Sequence, residues 1–184
     1  MRFAFLCLIT SALLAADPAV EQQQRAYVLA TKADGSWEHP GSRRRGEKIF
    51  ADPAGPLAGV CATCHRVRGF GGDFGPDLSL AGSVYPRSDL VRSILEPGSR
   101  IVQGFEQVVV ETARGEKFTG ALRHETADAL TVKGADGQPH IVRKADVKHR
   151  QALPASLMPA GLSLALTPEQ FADLIAYLES LRGQ

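Results

Sequence analysis

The 184-residue chain is poor in sulfur and almost without charge surplus: three cysteines, two methionines, one tryptophan, and 21 Lys and Arg against 20 Asp and Glu. The charge balance excludes a protein that holds nucleic acid by phosphate neutralisation, which needs a clustered excess of basic residues. No G-x-x-x-x-G-K is present, and no strand signal precedes Gly69-Phe-Gly-Gly72, so these glycines are not a nucleotide loop but a flexible span. No second C-x-x-C accompanies the one present, which leaves a structural zinc site two ligands short. No nucleophile, base and orienter stand together as an enzymatic site. What is there is 44% hydrophobic, too apolar for disorder and enough for one core with a small satellite.

The opening MRFAFLCLITSALLAADPAV has a basic start at Arg2, an apolar run from Phe3 to Leu14 and small residues at Ala15 and Ala16. This is the layout of a secretory signal peptide over residues 1–16, with a run too short to span a bilayer comfortably. Retention as an N-terminal anchor is the alternative. Cleavage after Ala16 removes Met1 and Cys7, so the expected mature protein is periplasmic or otherwise exported, with two cysteines and no leftover thiol.

Both remaining cysteines lie in Cys61-Ala-Thr-Cys64-His65. In an exported protein C-x-x-C-H is a covalent haem c site: two thiols add across the vinyl groups and the adjacent imidazole reaches the iron. A thioredoxin-like dithiol is the competing chemistry, but it needs a strand and helix around the motif, and the flanks are rich in Gly and Pro. A sixth ligand is then sought downstream. The soft donor left after cleavage is Met158, bracketed by Pro154 and Pro159 in an irregular loop, where restricted backbone can hold a side chain in place. His39, His124, His140 and His149 are the other candidates, each more suited to a solvated or hydrogen-bonded surface position.

Periodicity predicts a helix over Arg43 to Ala51, another over Ser88 to Glu96 stopped by Pro97-Gly98, and a C-terminal one. The last begins with Thr167 as cap, Pro168 in the first position and Gln170 completing a capping box. Phe171, Leu174, Ile175, Leu178 and Leu181 then form one apolar stripe.

These pieces resemble the class I cytochrome c family. More closely, they resemble a bacterial haem-binding domain often found at the end of large exported dehydrogenase-like proteins. The matching stretches are Gly46-Glu-Lys-Ile-Phe50, the C-x-x-C-H run, Gly75-Pro-Asp-Leu78, Ile94-Leu-Glu-Pro97, Ser156-Leu-Met-Pro159, Gly161-Leu162 and Leu174-Ile-Ala-Tyr-Leu178. Ala160 stands where an acidic residue is common, and the fused catalytic domain that the resemblance would bring is not expected within these 184 residues. The resemblance implies a close crossing of two helices at Gly46, Phe50 and Tyr177. It implies that the Pro76 carbonyl accepts a hydrogen bond from His65, and it supports Met158 as the second axial ligand. Phe70, Phe74, Leu78, Leu80 and Leu95 are the expected apolar haem pocket. The metal ligands would be His65 and Met158.

Between Gln103 and Arg150 four β-rich stretches follow one another: Phe105 to Thr112, Lys117 to His124, Ala129 to Lys133 and His140 to Lys144, with Asp136-Gly137 as a hairpin signal. They predict a small antiparallel sheet, Sm-like in outline, that must pack on something else. The expected fold class is therefore a mainly α cytochrome c-like fold with an inserted small antiparallel β-sheet, α+β overall. Residues 17–42 are an N-terminal extension, 43–102 and 151–184 the haem domain, and 103–150 the insertion.

The insertion can shield the haem, dock a redox partner, or pair edge strands into a homodimer. The reading is a monohaem electron carrier and not an enzyme. Its partners are redox proteins, an exported dehydrogenase among them, with no nucleic acid and no stable membrane insertion. Two other readings stay open: a gas- or peroxide-binding haem protein, and a haem-bearing assembly module. Arg43-Arg44-Arg45 either meets propionates or an acidic partner, or is simply solvated, and Trp37 is expected to pack on the domain surface.

Overall fold

The protein is described by a computed structural model over residues 17–134 and 137–183. The expected signal segment 1–16, with Cys7, and Asp136 of the hairpin dipeptide lie outside the described residues.

Asp17 caps the first helix, α1 (Pro18–Leu29): its carboxylate accepts from the Ala19 amide at 2.9 Å, and Pro18 takes the first position, where its missing N–H costs nothing. Helix α2 (Arg43–Ala51) is capped by Ser42, and the short α3 (Val60–Cys64) leads into a two-stranded hairpin, β1 (Arg66–Val67) and β2 (Phe70–Gly71). Helices α4 (Ala81–Val84) and α5 (Arg87–Leu95) follow, and α6 (Pro168–Ser180) ends the fold behind the full Thr167/Gln170 capping box.

Helices α2 and α6 cross so closely that a Cβ on Gly46 would lie 1.9 Å from the Asp173 carbonyl oxygen, a place only glycine can fill. The Phe50 and Tyr177 rings meet beside it, centroids 5.4 Å apart and planes tilted by 51°. Around this crossing Val28, Ile49, Leu90, Val91, Phe171 and Ile175 form the helical core.

The stretch 17–42 is tied into that core. The buried Gln24 amide donates to the carbonyls of Ser163 and Leu166 at 2.7 and 2.9 Å, and Val28 is wholly buried. Arg87, only 3% exposed, gathers three elements. Its guanidinium donates to Glu179 at 2.5 Å, to the Val28 carbonyl at 3.0 Å and to the His39 carbonyl at 2.9 Å, and it lies 4.8 Å from the centre of the Trp37 ring. Trp37 thus covers a buried cation, and His39 stacks on Tyr27 at 3.6 Å.

The second half of the architecture is a five-stranded antiparallel sheet: β3 (Gln107–Thr112), β4 (Lys117–Glu125), β5 (Ala129–Gly134), β6 (Pro139–Arg143) and β7 (Val147–Leu153), in the order β6-β5-β4-β3-β7. The meander β3 to β6 is closed by β7, which follows a single 3-10 turn, Lys144–Asp146, and pairs back along β3 from Gln107↔Leu153 to Thr112↔Val147. Val108, Val110, Leu130, Val132 and Val142, at alternate positions of their strands, form a core of their own, separate from the helical one.

This corrects the expected fold class. The protein is not a mainly α fold with a small four-stranded insertion: the described residues are 36% helix and 24% strand, an α+β composition, and the sheet is five-stranded with its own core. The missing strand is β7, which extends past Arg150. Its residues are exposed or half-buried on both faces, so it lacks the apolar alternation that marks the other strands. Among the described residues no helix is long and apolar enough to cross a membrane.

Candidate functional site

The site is built where α3 hands over to the hairpin. Gly59, with φ of 67°, starts α3 in a left-handed conformation, and α3 carries Cys61 and Cys64 on one short helical run. His65 follows as its C-cap in extended conformation, its amide donating to the Cys61 carbonyl at 2.8 Å. Both cysteines are half-buried free thiols. Burial, and after it the neighbouring Cys64, pushes the Cys61 thiol up to about 11. A thiol held protonated at neutral pH is the opposite of what a dithiol exchange site needs.

Loop 71–78 then wraps back over this run. The Gly72 amide donates to the Ala62 carbonyl at 2.8 Å, the Gly75 amide to the Cys64 carbonyl at 2.7 Å and the Leu78 amide to the Arg66 carbonyl at 2.8 Å. Glycines here answer to close approach: a Cβ on Gly72 would lie 1.9 Å from the Thr63 carbonyl oxygen, and one on Gly75 would lie 2.5 Å from Cε1 of His65. The expectation of a flexible glycine span is thereby corrected at Gly71 and Gly72, which are wedged against the motif.

The imidazole is fixed by the same loop. His65 Nδ1 lies 2.8 Å from the Pro76 carbonyl oxygen. A carbonyl only accepts, so Nδ1 carries the proton and the lone pair is on Nε2. Burial holds the imidazole below its ordinary 6.5, with the Pro76 carbonyl opposing part of that shift. The product is a neutral, oriented ring with one nitrogen free to act as a ligand.

Of the other predicted residues, Leu78 and Met158 are half-buried and pack with Cys61 and Ala62 against the helical core, and Leu95 lies inside it. Met158 follows β7 in the loop ahead of α6, its amide donating to Ser156 Oγ at 3.1 Å. Phe74 and Pro76 are half-buried in the loop over His65. Phe70 is 83% exposed and lines a cleft of about 440 Å3 with Phe50, Ala62 and Tyr177, whereas Leu80 is 51% exposed and lies against Gly183. The structure gathers Cys61, Leu78, Leu95 and Met158 about one core, then, and leaves Phe70 and Leu80 at the surface.

Among the candidate histidines, His39 stacks on Tyr27, His140 lies against Phe118 at 5.1 Å, and His124 and His149 are exposed. Arg45 is committed to Asp173, at 2.5 and 2.8 Å, while Arg43 and Arg44 are exposed.

One contact was not foreseen from the sequence. Lys133 on β5 makes an ion pair with Asp73, in the loop over His65. Nothing in the local sequence around Lys133 signals this, since the two residues are 60 positions apart.

Among the described residues no three His, Cys, Asp or Glu side chains are gathered as for a metal ion, so the two thiols and the imidazole are not arranged round one point. Two thiols on one short helix with an imidazole beside them are a donor set that could hold a cofactor through sulfur and nitrogen. No protein-family model matches the sequence, and no curated protein matches it.

Proposed function

We propose that this protein is an exported c-type cytochrome that carries one electron at a time between redox proteins, an exported dehydrogenase being the class of donor. The observation that carries the reading is the Cys61-Ala-Thr-Cys64-His65 run together with the 2.8 Å approach of His65 Nδ1 to the Pro76 carbonyl.

The residues present fit a haem. Cys61 and Cys64 would hold it by thioether bonds from one short helix, and His65 would reach the iron through Nε2. By accepting a hydrogen bond from Nδ1, the Pro76 carbonyl fixes the orientation of the ring and strengthens His65 as a donor, which would favour the oxidised state of a bound haem. Met158, half-buried beside the same core as Cys61, would supply a second protein donor to the iron and with it a higher reduction potential. When bound, the haem supplies the one-electron couple. The polypeptide's own contribution is attachment, orientation and exclusion of water, the last from Leu78, Leu95 and the closely packed loop 71–78.

Oxidised and reduced absorption spectra test this reading. A weak far-red charge-transfer band in the oxidised protein, lost in Met158→Ala, supports His/Met ligation. Ready binding of carbon monoxide by the reduced wild type would point instead to a ligand-binding haem protein with an open iron.

A further inference from the structure

Helices and sheet have separate cores, yet a cation from one reaches the loop that fixes the ligand in the other. Lys133 lies on β5, in a register that pairs it with Ala121 on β4 and Pro139 on β6. Its side chain is 14% exposed, so most of the stem is covered, and its ammonium meets the Asp73 carboxylate. Asp73 stands between the two amides that pin the loop, Gly72 to the Ala62 carbonyl and Gly75 to the Cys64 carbonyl. Three residues further on is Pro76, whose carbonyl holds His65. Arg66 is also near, but Lys133 is the chief cause of the lowered Asp73 titration.

From this juxtaposition we infer that Lys133 is a positioning residue of the His65 site: the sheet clamps the loop 72–76 through Asp73 and so holds the Pro76 carbonyl in place under the imidazole. The sheet is then more than a shield or a docking surface. It is the support for the ligand's hydrogen-bond acceptor, at one remove from the group that would bind. The inference rests on the haem reading for its consequence but not for its mechanics, because the loop, the ion pair and the His65 bond are all features of the polypeptide.

The test is hydrogen exchange in the haem-loaded protein, read at the Gly72 and Gly75 amides and at the His65 Nδ1 proton. Lys133→Met and Asp73→Asn are each expected to speed all three about two- to fivefold, which is what a partly exposed ion pair can hold. The double variant is expected to be no faster than either single one, and the reversed pair, Lys133→Asp with Asp73→Lys, to recover most of the protection. A pair that only stabilises the sheet would lower the melting temperature without moving these three protons, and that result overturns the clamp. Additive effects in the double variant would overturn it too. If the wild-type protein proves to hold no covalent haem, the proposed function fails, while the Gly72 and Gly75 amides of the protein as isolated still decide the clamp.

Discussion

His65 Nδ1 and the Pro76 carbonyl oxygen, eleven residues apart in sequence, lie 2.8 Å from one another. The contact settles which imidazole nitrogen carries the proton, because the carbonyl has none to give. It also explains the glycine just before the proline. The ring lies against Gly75, where a side chain would collide with three of its atoms.

Gly75→Ala is expected to displace the imidazole, since the new Cβ would stand 2.5 Å from Cε1 and 2.7 Å from Nδ1. Overpacking of this kind costs about 1–3 kcal/mol. The measurement is the fraction of purified protein with covalent haem, together with the denaturation midpoint. Both are expected to fall, and wild-type values for both would mean that the ring has room the structure does not give it.

Gly46→Ala tests the crossing of α2 and α6. Its Cβ would meet the Asp173 carbonyl oxygen at 1.9 Å and Tyr177 Cβ at 2.7 Å. Backbone yields less readily than the end of a flexible side group, so the helices must part, with a loss of about 1–3 kcal/mol or more in urea unfolding. An unchanged midpoint would contradict the packing described.

Arg87→Met removes a buried cation whose partners are Glu179 and the carbonyls of Val28 and His39. Breaking one side of such a pair costs about 3–5 kcal/mol. By contrast Arg92→Ala, in the exposed Arg92–Glu96 pair at 3.5 Å, is expected to cost at most about 0.5 kcal/mol. Equal losses for the two, measured by denaturant unfolding, would show that Arg87 does not tie the 17–42 segment to the helices.

In the protein prepared without haem, stability is expected to fall on acidification. Burial lowers the folded-state titration of His65 below its ordinary 6.5, so the unfolded state takes up the proton first. The contribution is complete above 6.5 and is lost as pH falls through the folded value. Comparing wild type with His65→Gln at about pH 7.5 and about pH 5.5 reads this directly: only the wild type should lose stability from this source. Occupation of Nε2 by a ligand bond should abolish the difference.

The sequence speaks most clearly where local chemistry decides structure. Thr167, Pro168 and Gln170 announce the start of α6, and the alternating burial of β3 follows from its valines, which announce a strand. It is silent where long-range packing decides. β7 buries neither face and is held by its ladder to β3, so no periodicity marks it. Without it a five-stranded sheet reads as four strands, and as a small insertion in a mainly α fold. Asp17-Pro18 is a legible helix start, but it follows directly on a segment read as a cleavable leader, which obscured it. Arg87 and the Lys133–Asp73 pair join residues far apart in sequence, and no local signal identifies such partners. The C-x-x-C-H run and the proline that orients His65 lie within sixteen residues, Cys61 to Pro76, and that nearness is why the contact between His65 and Pro76 is legible in the sequence.

Covalent attachment at Cys61 and Cys64 is the central claim. Intact-mass measurement of the protein, produced with residues 1–16 in an exporting host able to attach haem and then fully denatured, decides it. The expected result is one species heavier by a single haem, and the bare polypeptide mass in Cys61→Ala/Cys64→Ala. A wild-type protein at its bare polypeptide mass, or haem extractable after denaturation, would contradict the account.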